Sequence, residues 1–361
     1  MALRVTQISA GLNYSLALLE DGTVRGWGEN DDNQINTPNF GERRVTQISA
    51  GAYHSLGLLD DGTVIGWGNN RYGTITIPDF GGRRVTQISA GGDQSLALLE
   101  DGNVIPWGYY HNGQRPALDF GRRVTQISAG MEFSLALLED RNVIGWGENY
   151  SNQIDIPDFG RRRVIQISGG GGHSLALLED GTVIGWGANI DYQRTIPDFD
   201  GIRVTQISAG NHHSLALLED GNVIGWGGNT FDQRYIPDFG GRRVIQISAG
   251  GSHSLALLED GTVIGWGANY SGQITIPNFL PLPPSPPPIL DFKIQEEPTL
   301  VDYQELKQRV ECPQCHIHIK KVLLDCDHAF CETCANTLIN CPICSKPVTN
   351  KTVLHQKYYK Y

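Results

Sequence analysis

The chain has 361 residues, enough for about two or three domains. A hydrophobic fraction of 40% and a charged fraction of 19% suit an ordinary globular protein and exclude a disordered chain. The formal charge of -11, from 28 basic and 39 acidic side chains, argues against non-specific affinity for nucleic acid or anionic membrane. No direct nucleic-acid binding is therefore expected. No apolar run of 18 residues exists, so no membrane partner is expected, and Met1 to Ala10 (MALRVTQISA) does not read as a signal peptide. The expected location is inside the cell, in cytoplasm or nucleus.

Charge and cysteine are unevenly placed. Residues 281–361 carry nine acidic and nine basic side chains, so the first 280 carry the whole net charge. All 19 bases of that first part are arginine, and no lysine precedes Lys293. A receptor without lysine could not be modified on lysine by a ligase attached to it. One lysine-poor ancestor copied several times explains the same absence. No cysteine precedes Cys312, so two unlike proteins look joined.

The first part repeats itself. Arg-Val-(Thr/Ile)-Gln-Ile-Ser begins at Arg4, Arg44, Arg84, Arg123, Arg163, Arg203 and Arg243, a period of 39 or 40 residues. Every tryptophan holds one repeat position: Trp27, Trp67, Trp107, Trp146, Trp186, Trp226 and Trp266. Such a period means a propeller or a solenoid. Each unit opens with a β-branched run such as Val45 to Ile48, followed by Ser-Ala-Gly and a second run, Ser55 to Leu59. Asp61-Gly62 then suits a two-residue hairpin with both residues at positive φ. A third run holds the tryptophan, and a fourth ends at Ile77-Pro78. Helical periodicity is absent. The pattern predicts four short antiparallel strands per unit and a mainly β, seven-bladed propeller over 1–280, with an open stack of β-repeats as the other solution. Asp140-Arg141 replaces Asp-Gly in the fourth unit, where a strained or altered hairpin is expected, and Pro106 stands before tryptophan in the third.

The unit Ser-Ala-Gly-x-x-His-Ser-Leu-Ala-Leu-Leu-Glu-Asp-Gly-x-Val-x-Gly-Trp-Gly-x-Asn resembles the repeat of the regulator of chromosome condensation family. The resemblance covers about 275 residues. It implies a binding scaffold and no single function, since relatives include an exchange factor for a nuclear GTPase, ubiquitin ligases and a β-lactamase inhibitor.

In an up-and-down blade the loop between strands one and two shares a face with the loop after strand three. Both vary between copies, whereas the Asp-Gly side hardly does. The third position after Ser-Ala-Gly reads Tyr14, His54, Gln94, Phe133, His173, His213 and His253. The loops after Trp-Gly contribute Tyr72, Tyr150, Tyr192, Phe231 and Tyr270. These positions predict a face that binds a substrate protein, with Tyr14, His54, Phe133 and His213 part of it; unconstrained drift is the other explanation. The histidines are expected to be structural residues bonding backbone and not a ring of metal ligands. No catalytic triad or phosphate loop is present, and Gly169 to Gly172 lacks the lysine of a P-loop.

A proline-rich stretch, LPLPPSPPPIL from Leu280, predicts a semi-rigid polyproline II spacer over 281–298. From 299 to 361 a further unit is expected, starting with a short helix, Thr299 to Val310, whose Leu300, Tyr303, Leu306 and Val310 share helical spacing. All seven cysteines and one histidine follow: Cys312, Cys315, Cys326, His328, Cys331, Cys334, Cys341 and Cys344. Eight soft donors in so short a span make two tetrahedral sites, so two Zn2+ ions are the expected cofactor. Disulfides would leave an odd thiol. A segment this small also needs the metal, which can supply on the order of 10 kcal/mol of folding energy.

The order of three cysteines, one histidine and four cysteines resembles a RING domain. The resemblance implies interleaved sites, Cys312, Cys315, Cys331 and Cys334 on one ion and Cys326, His328, Cys341 and Cys344 on the other. Two sequential fingers are the competing arrangement. It further implies a ubiquitin-protein ligase that holds a charged ubiquitin-conjugating enzyme beside a substrate lysine without a covalent step of its own. Leu338, Pro342 and Ile343 match the apolar docking positions for that enzyme. Gln314 and Ser345 depart from the usual apolar and basic residues, which puts full activity in doubt. The tail from Val348 to Tyr361 resembles that of dimeric members, which implies a homodimer. A non-catalytic scaffold, or an exchange factor for a small GTPase, is the alternative. Uniform repeats joined to such a module resemble ligases predicted in giant DNA viruses, for which the location would be the host cell.

Overall fold

The structure, a computed structural model, describes residues 3–109 and 120–279, together with the backbone of three short strands at 322–324, 329–330 and 351–353. The chain divides into two compact units, Met1–Pro283 and Pro284–Tyr361. The proline-rich spacer, the helix expected at Thr299, the eight metal donors and Leu338, Pro342 and Ile343 lie outside the described residues.

The first unit is built from seven three-stranded antiparallel sheets. In the first blade the inner strand is Val5–Ala10, the central strand Tyr14–Leu19 and the outer strand Val24–Gly28. Their burial explains the sequence pattern. The central strand is buried at all six positions because sheets cover both its faces, so it cannot alternate. The outer strands bury Val24 and Trp27, three residues apart, and leave Arg25 and Gly26 half-buried. Leucines of one blade pack on valine, isoleucine and tryptophan of the next, giving one apolar cluster at each of the seven seams.

Two expectations need correction. No fourth strand pairs among the described residues. The segment after each outer strand carries a proline (Pro38, Pro78, Pro157), which has no N–H to give a ladder. Instead Ile35 sits directly on Gly26, where an added Cβ would lie only 2.6 Å from the isoleucine Cβ. The segment then crosses to the following blade, where Phe40 meets the Trp67 ring edge-on at 6.1 Å. The hairpin is also longer than the Asp-Gly dipeptide suggests. Leu19 and Thr23 are bonded across a three-residue loop, Glu20-Asp21-Gly22, and only Gly22 has positive φ, at 84°. Asp21 Oδ1 accepts from the Thr23 amide at 2.9 Å and fixes the turn.

Every inner strand has a free edge toward the axis, and the preceding blade covers it. Gln7 Oε1 accepts from the Ile48 amide at 2.9 Å, and Ser9 Oγ accepts from the Ala50 amide at 2.9 Å. The same pair of bonds recurs at all seven seams. The last seam closes the ring, with Gln246 on Ile8 and Ser248 on Ala10. The Leu3 amide also donates to the Phe279 carbonyl at 2.9 Å, and Phe279 packs on Trp27. A closed seven-bladed propeller follows.

In the second unit Val322–Leu324 pairs antiparallel with both Ala329–Phe330 and Lys351–Val353. Lys351–Val353 belongs to the tail that begins at Val348.

Arg141 adopts φ 73° in the fourth hairpin, the place glycine holds elsewhere, with the same bonds from its amide to Leu138 and from Leu138 to Asn142. The hairpin keeps its shape and bears the strain. Arg141→Gly should raise stability by roughly 1 kcal/mol, the left-handed cost less glycine's extra entropy. Urea unfolding followed by tryptophan fluorescence checks this, since every tryptophan lies in the propeller.

Candidate interaction face

The two variable loops of each blade do share one face. The residue after each outer strand donates its amide to the loop between inner and central strands: Glu29 to Asn13 at 3.0 Å, Ala188 to Gly172 at 2.8 Å and Gly228 to His212 at 2.7 Å. Neighbouring blades also touch there. Asn69 Nδ2 donates to Asp32 Oδ1 at 2.6 Å, and His212 Nδ1 bonds Asp191 Oδ2 at 3.0 Å. Tyr72, Tyr150, Tyr192, Phe231 and Tyr270 are exposed on this face, Tyr150 at 81%.

Tyr14, His54, Phe133 and His213 are not on it. Each is at most 1% exposed, because the third position after Ser-Ala-Gly begins the doubly covered central strand. No partner can touch them. They knit the blades together from inside. His54 Nε2 bonds Ser95 Oγ of the next blade at 2.8 Å, and Ser95 donates to the Thr74 carbonyl at 2.9 Å. The same carbonyl accepts from Trp107 Nε1 at 2.7 Å. His173, His213 and His253 repeat the bond to a serine at 2.9 Å. Tyr14 uses its hydroxyl instead, donating to the His54 carbonyl at 2.5 Å, and Gln94 donates to the Gly130 and Phe133 carbonyls. The histidines are structural, as expected, but their partner is a serine hydroxyl and not backbone.

Because each serine gives its proton to a carbonyl, the imidazole must donate from Nε2. Nδ1 is then a bare acceptor, buried without a partner in His173, His213 and His253. A second proton there would be charged, dry and unbonded. Burial accordingly pushes the pKa of His54 down to about 4 and those of the other three down to about 3. The unfolded chain takes up these protons below about pH 6.5 and the folded one does not. Stability is therefore full above pH 6.5 and falls as pH drops, by about 1.4 kcal/mol per unit for each buried histidine. His54→Gln, the choice the third blade makes at Gln94, should lessen the slope by one histidine's share. Urea midpoints from pH 7.5 to 5 for both proteins check it.

The sequence reading missed residues that do face outward. Tyr53, Asp93, Glu132 and His212 lie one position before the buried series, and Ile190 is 89% exposed. The first four end the loop that leads into the doubly covered central strand, one residue before its first buried position. Carboxylates gather here. Asp31, Glu132 and Asp232 are exposed, and Asp32 and Asp191 are half-exposed. On the opposite face acids meet bases: Arg43 pairs with Asp61 at 3.6 Å, and Arg83 with Asp101 and Arg242 with Asp260 at 3.4 Å. Two cavities open among the inner strands, one of about 110 Å³ lined by Ala10, Gly51 and their equivalents and one of about 700 Å³ lined by Thr6, Gln7 and theirs. No cluster of metal-ligating side chains and no helix long and apolar enough to cross a membrane occur among the described residues.

Comparison with known proteins agrees with this architecture. Residues 5–34, 45–74, 124–153, 164–193, 204–233 and 244–273 match the regulator of chromosome condensation (RCC1) repeat. The third unit, with Pro106, lies outside the matched segments. Human WBSCR16 is similar in structure, with a TM-score of 0.62 at 22% identity over 72% of this chain and 88% of that one. Prp20p of Saccharomyces cerevisiae gives 0.59 at 20% identity over 74% and 83%. Three curated relatives match short segments. The mind-bomb E3 ubiquitin-protein ligase of Drosophila melanogaster is 35% identical over 51 residues, 14% of this chain and 4% of its own length. The E3 ubiquitin-protein ligase RGLG4 of Arabidopsis thaliana is 34% identical over 74 residues, 20% of this chain and 18% of its own. Putative RING finger protein 121R of Invertebrate iridescent virus 6 is 35% identical over 46 residues, 13% of this chain and 52% of its own. The chain thus spans about half or less of each relative's length. Its first unit is a propeller of regulator of chromosome condensation repeats.

Proposed function

We propose that this protein is a RING-type ubiquitin ligase whose propeller selects the substrate. The observation that carries the reading is the donor series Cys312 to Cys344, joined to a rigid disc with an aromatic, variable face. The short matches to two ubiquitin ligases and a RING finger protein support it.

The donor set fits zinc. Thiolates and one imidazole are the ligands tetrahedral structural sites use, and no carboxylate is needed to complete them. In sequence, Cys326 and His328 fall between two paired strands and Cys331 follows the second. Bound zinc supplies folding energy and no chemistry. Cys312, Cys315, Cys331 and Cys334 would hold one ion, and Cys326, His328, Cys341 and Cys344 the other. Leu338, Pro342 and Ile343 then offer an apolar patch to the conjugating enzyme. The substrate lysine attacks the ubiquitin thioester on that enzyme, so this chain's part is to bring the two together. Exchange on a small GTPase has only the shared fold behind it.

Reconstitution with activating enzyme, a panel of conjugating enzymes and ubiquitin tests the reading. Chains should form with at least one conjugating enzyme, and silence with all of them would remove the ligase claim. Purified protein should carry two equivalents of zinc by elemental analysis. The pair Cys326→Ala and His328→Ala should lose zinc and chain formation together while the propeller's tryptophan unfolding stays in place. Modification sites in the wild-type reaction should map to Lys293 and beyond, since no lysine precedes it.

A further inference from the structure

The interaction face differs between its two sides. On blades two and three it supplies its own cation. Arg71 lies over the Tyr72 ring, 5.3 Å from the centroid, and Tyr72 meets Tyr109 at 5.0 Å. The Arg71 charge also acts on the nearby Asp93 carboxyl, whose pKa is nonetheless raised because it is half-buried. An aromatic pair, a guanidinium and a carboxylate thus form one cluster.

On blades five to seven the aromatic pair and the carboxylates recur, and the guanidinium does not. Phe231 and Tyr270 meet edge-on at 5.9 Å and are 45% and 64% exposed. A cavity of about 270 Å³ opens beside them, lined by Asp191, His212, Phe231 and Ser252 among others. That is room for one long side chain, below the usual size of a metabolite site. His212 holds one oxygen of Asp191, and among the described residues no arginine or lysine pairs with the other. The loops 188–192, 210–212, 228–232, 250–252 and 268–272 contain no lysine or arginine. Arg194 and Arg234 stand at equivalent positions just beyond them; Arg194 lays its Cβ against Gly185, and Arg234 points its Nη1 to the Gly227 carbonyl at 3.4 Å.

Carboxylates beside an exposed aromatic pair are matched by a cation that can lie on a ring and bond an oxygen in its plane, as a guanidinium does. We infer that blades five to seven receive an arginine of an extended, basic segment of the substrate protein, with its guanidinium beside Asp191 and against Phe231. The negative loops steer that segment to this side and repel acidic ones. The inference rests on reading the propeller as the substrate receptor, and names the class of segment it selects.

Fluorescence anisotropy with the full chain tests it at physiological salt. The probe is a short labelled peptide of alternating arginine and serine, and the control carries glutamate in place of arginine. The arginine peptide should bind and the glutamate peptide should not. Asp191→Asn and Phe231→Ala should each weaken binding about five-fold, the share of one exposed cation–π or rim charge contact. Arg71→Ala, on the other side of the face, should leave it unchanged. Equal binding of both peptides, or no loss in either variant with an unaltered unfolding curve, would overturn the inference. No ubiquitin enters this assay. A chain that makes ubiquitin chains but ignores the peptide refutes the docking site alone, and one that binds the peptide but makes no chains refutes the ligase alone.

Discussion

An inner strand with nothing on its axial edge would expose a row of amide groups to the channel. That edge decides how this disc is built. The solution is a glutamine and a serine, spaced two residues apart on the preceding inner strand, that accept the edge amides at 2.9 to 3.0 Å. The Gln-Ile-Ser triplet therefore serves two seams at once. Its isoleucine enters the apolar cluster, and its polar neighbours satisfy the next blade. Without such partners each buried amide would cost roughly 1–3 kcal/mol, and seven edges would consume the stability of a domain.

A second tie lies further out. At five of the seven seams one backbone carbonyl, of Thr74, Gln153, Gln193, Gln233 or Gln273, accepts both a serine hydroxyl and a tryptophan indole of the next blade, and at the seam between blades one and two the Gln34 carbonyl accepts the Ser55 hydroxyl alone. These carbonyls belong to the proline-bearing segment. What the segment loses as a strand it returns as a strap, reaching across the seam with its carbonyl and its phenylalanine. The rigid disc that results leaves the outer loops free to differ, and this is why aromatic and acidic residues can accumulate there without loss of fold.

Much of this was legible in the residues. The period, the tryptophans and the β-branched runs gave the blade count and the parity of the loops. Two things were hidden. Thr-Ile-Pro reads as the end of a strand, but only the packing of Ile75 on Gly66 shows that the backbone is held off the sheet. The series Tyr14, His54, Gln94, Phe133 looks variable and therefore exposed. It is variable because several large side chains fill the same slot, and three of these four answer it with a polar atom on the next blade while Phe133 fills it with its ring alone. Variation here does not mean exposure, because the central strand is covered on both faces. In the second unit, eight donors spoke clearly in sequence, whereas the strand Lys351–Val353 carried no signal of its pairing with Val322–Leu324.

The bond from Leu3 to Phe279 sets the two ends of the propeller side by side. Because the seam there uses the same glutamine and serine as the other six, the disc has no privileged opening. Its chain could be joined at that point and cut in any exposed connecting loop, and the ring would close through the same contacts. Blades of this kind are interchangeable parts, and an added or deleted copy would alter the circumference before it altered any interface.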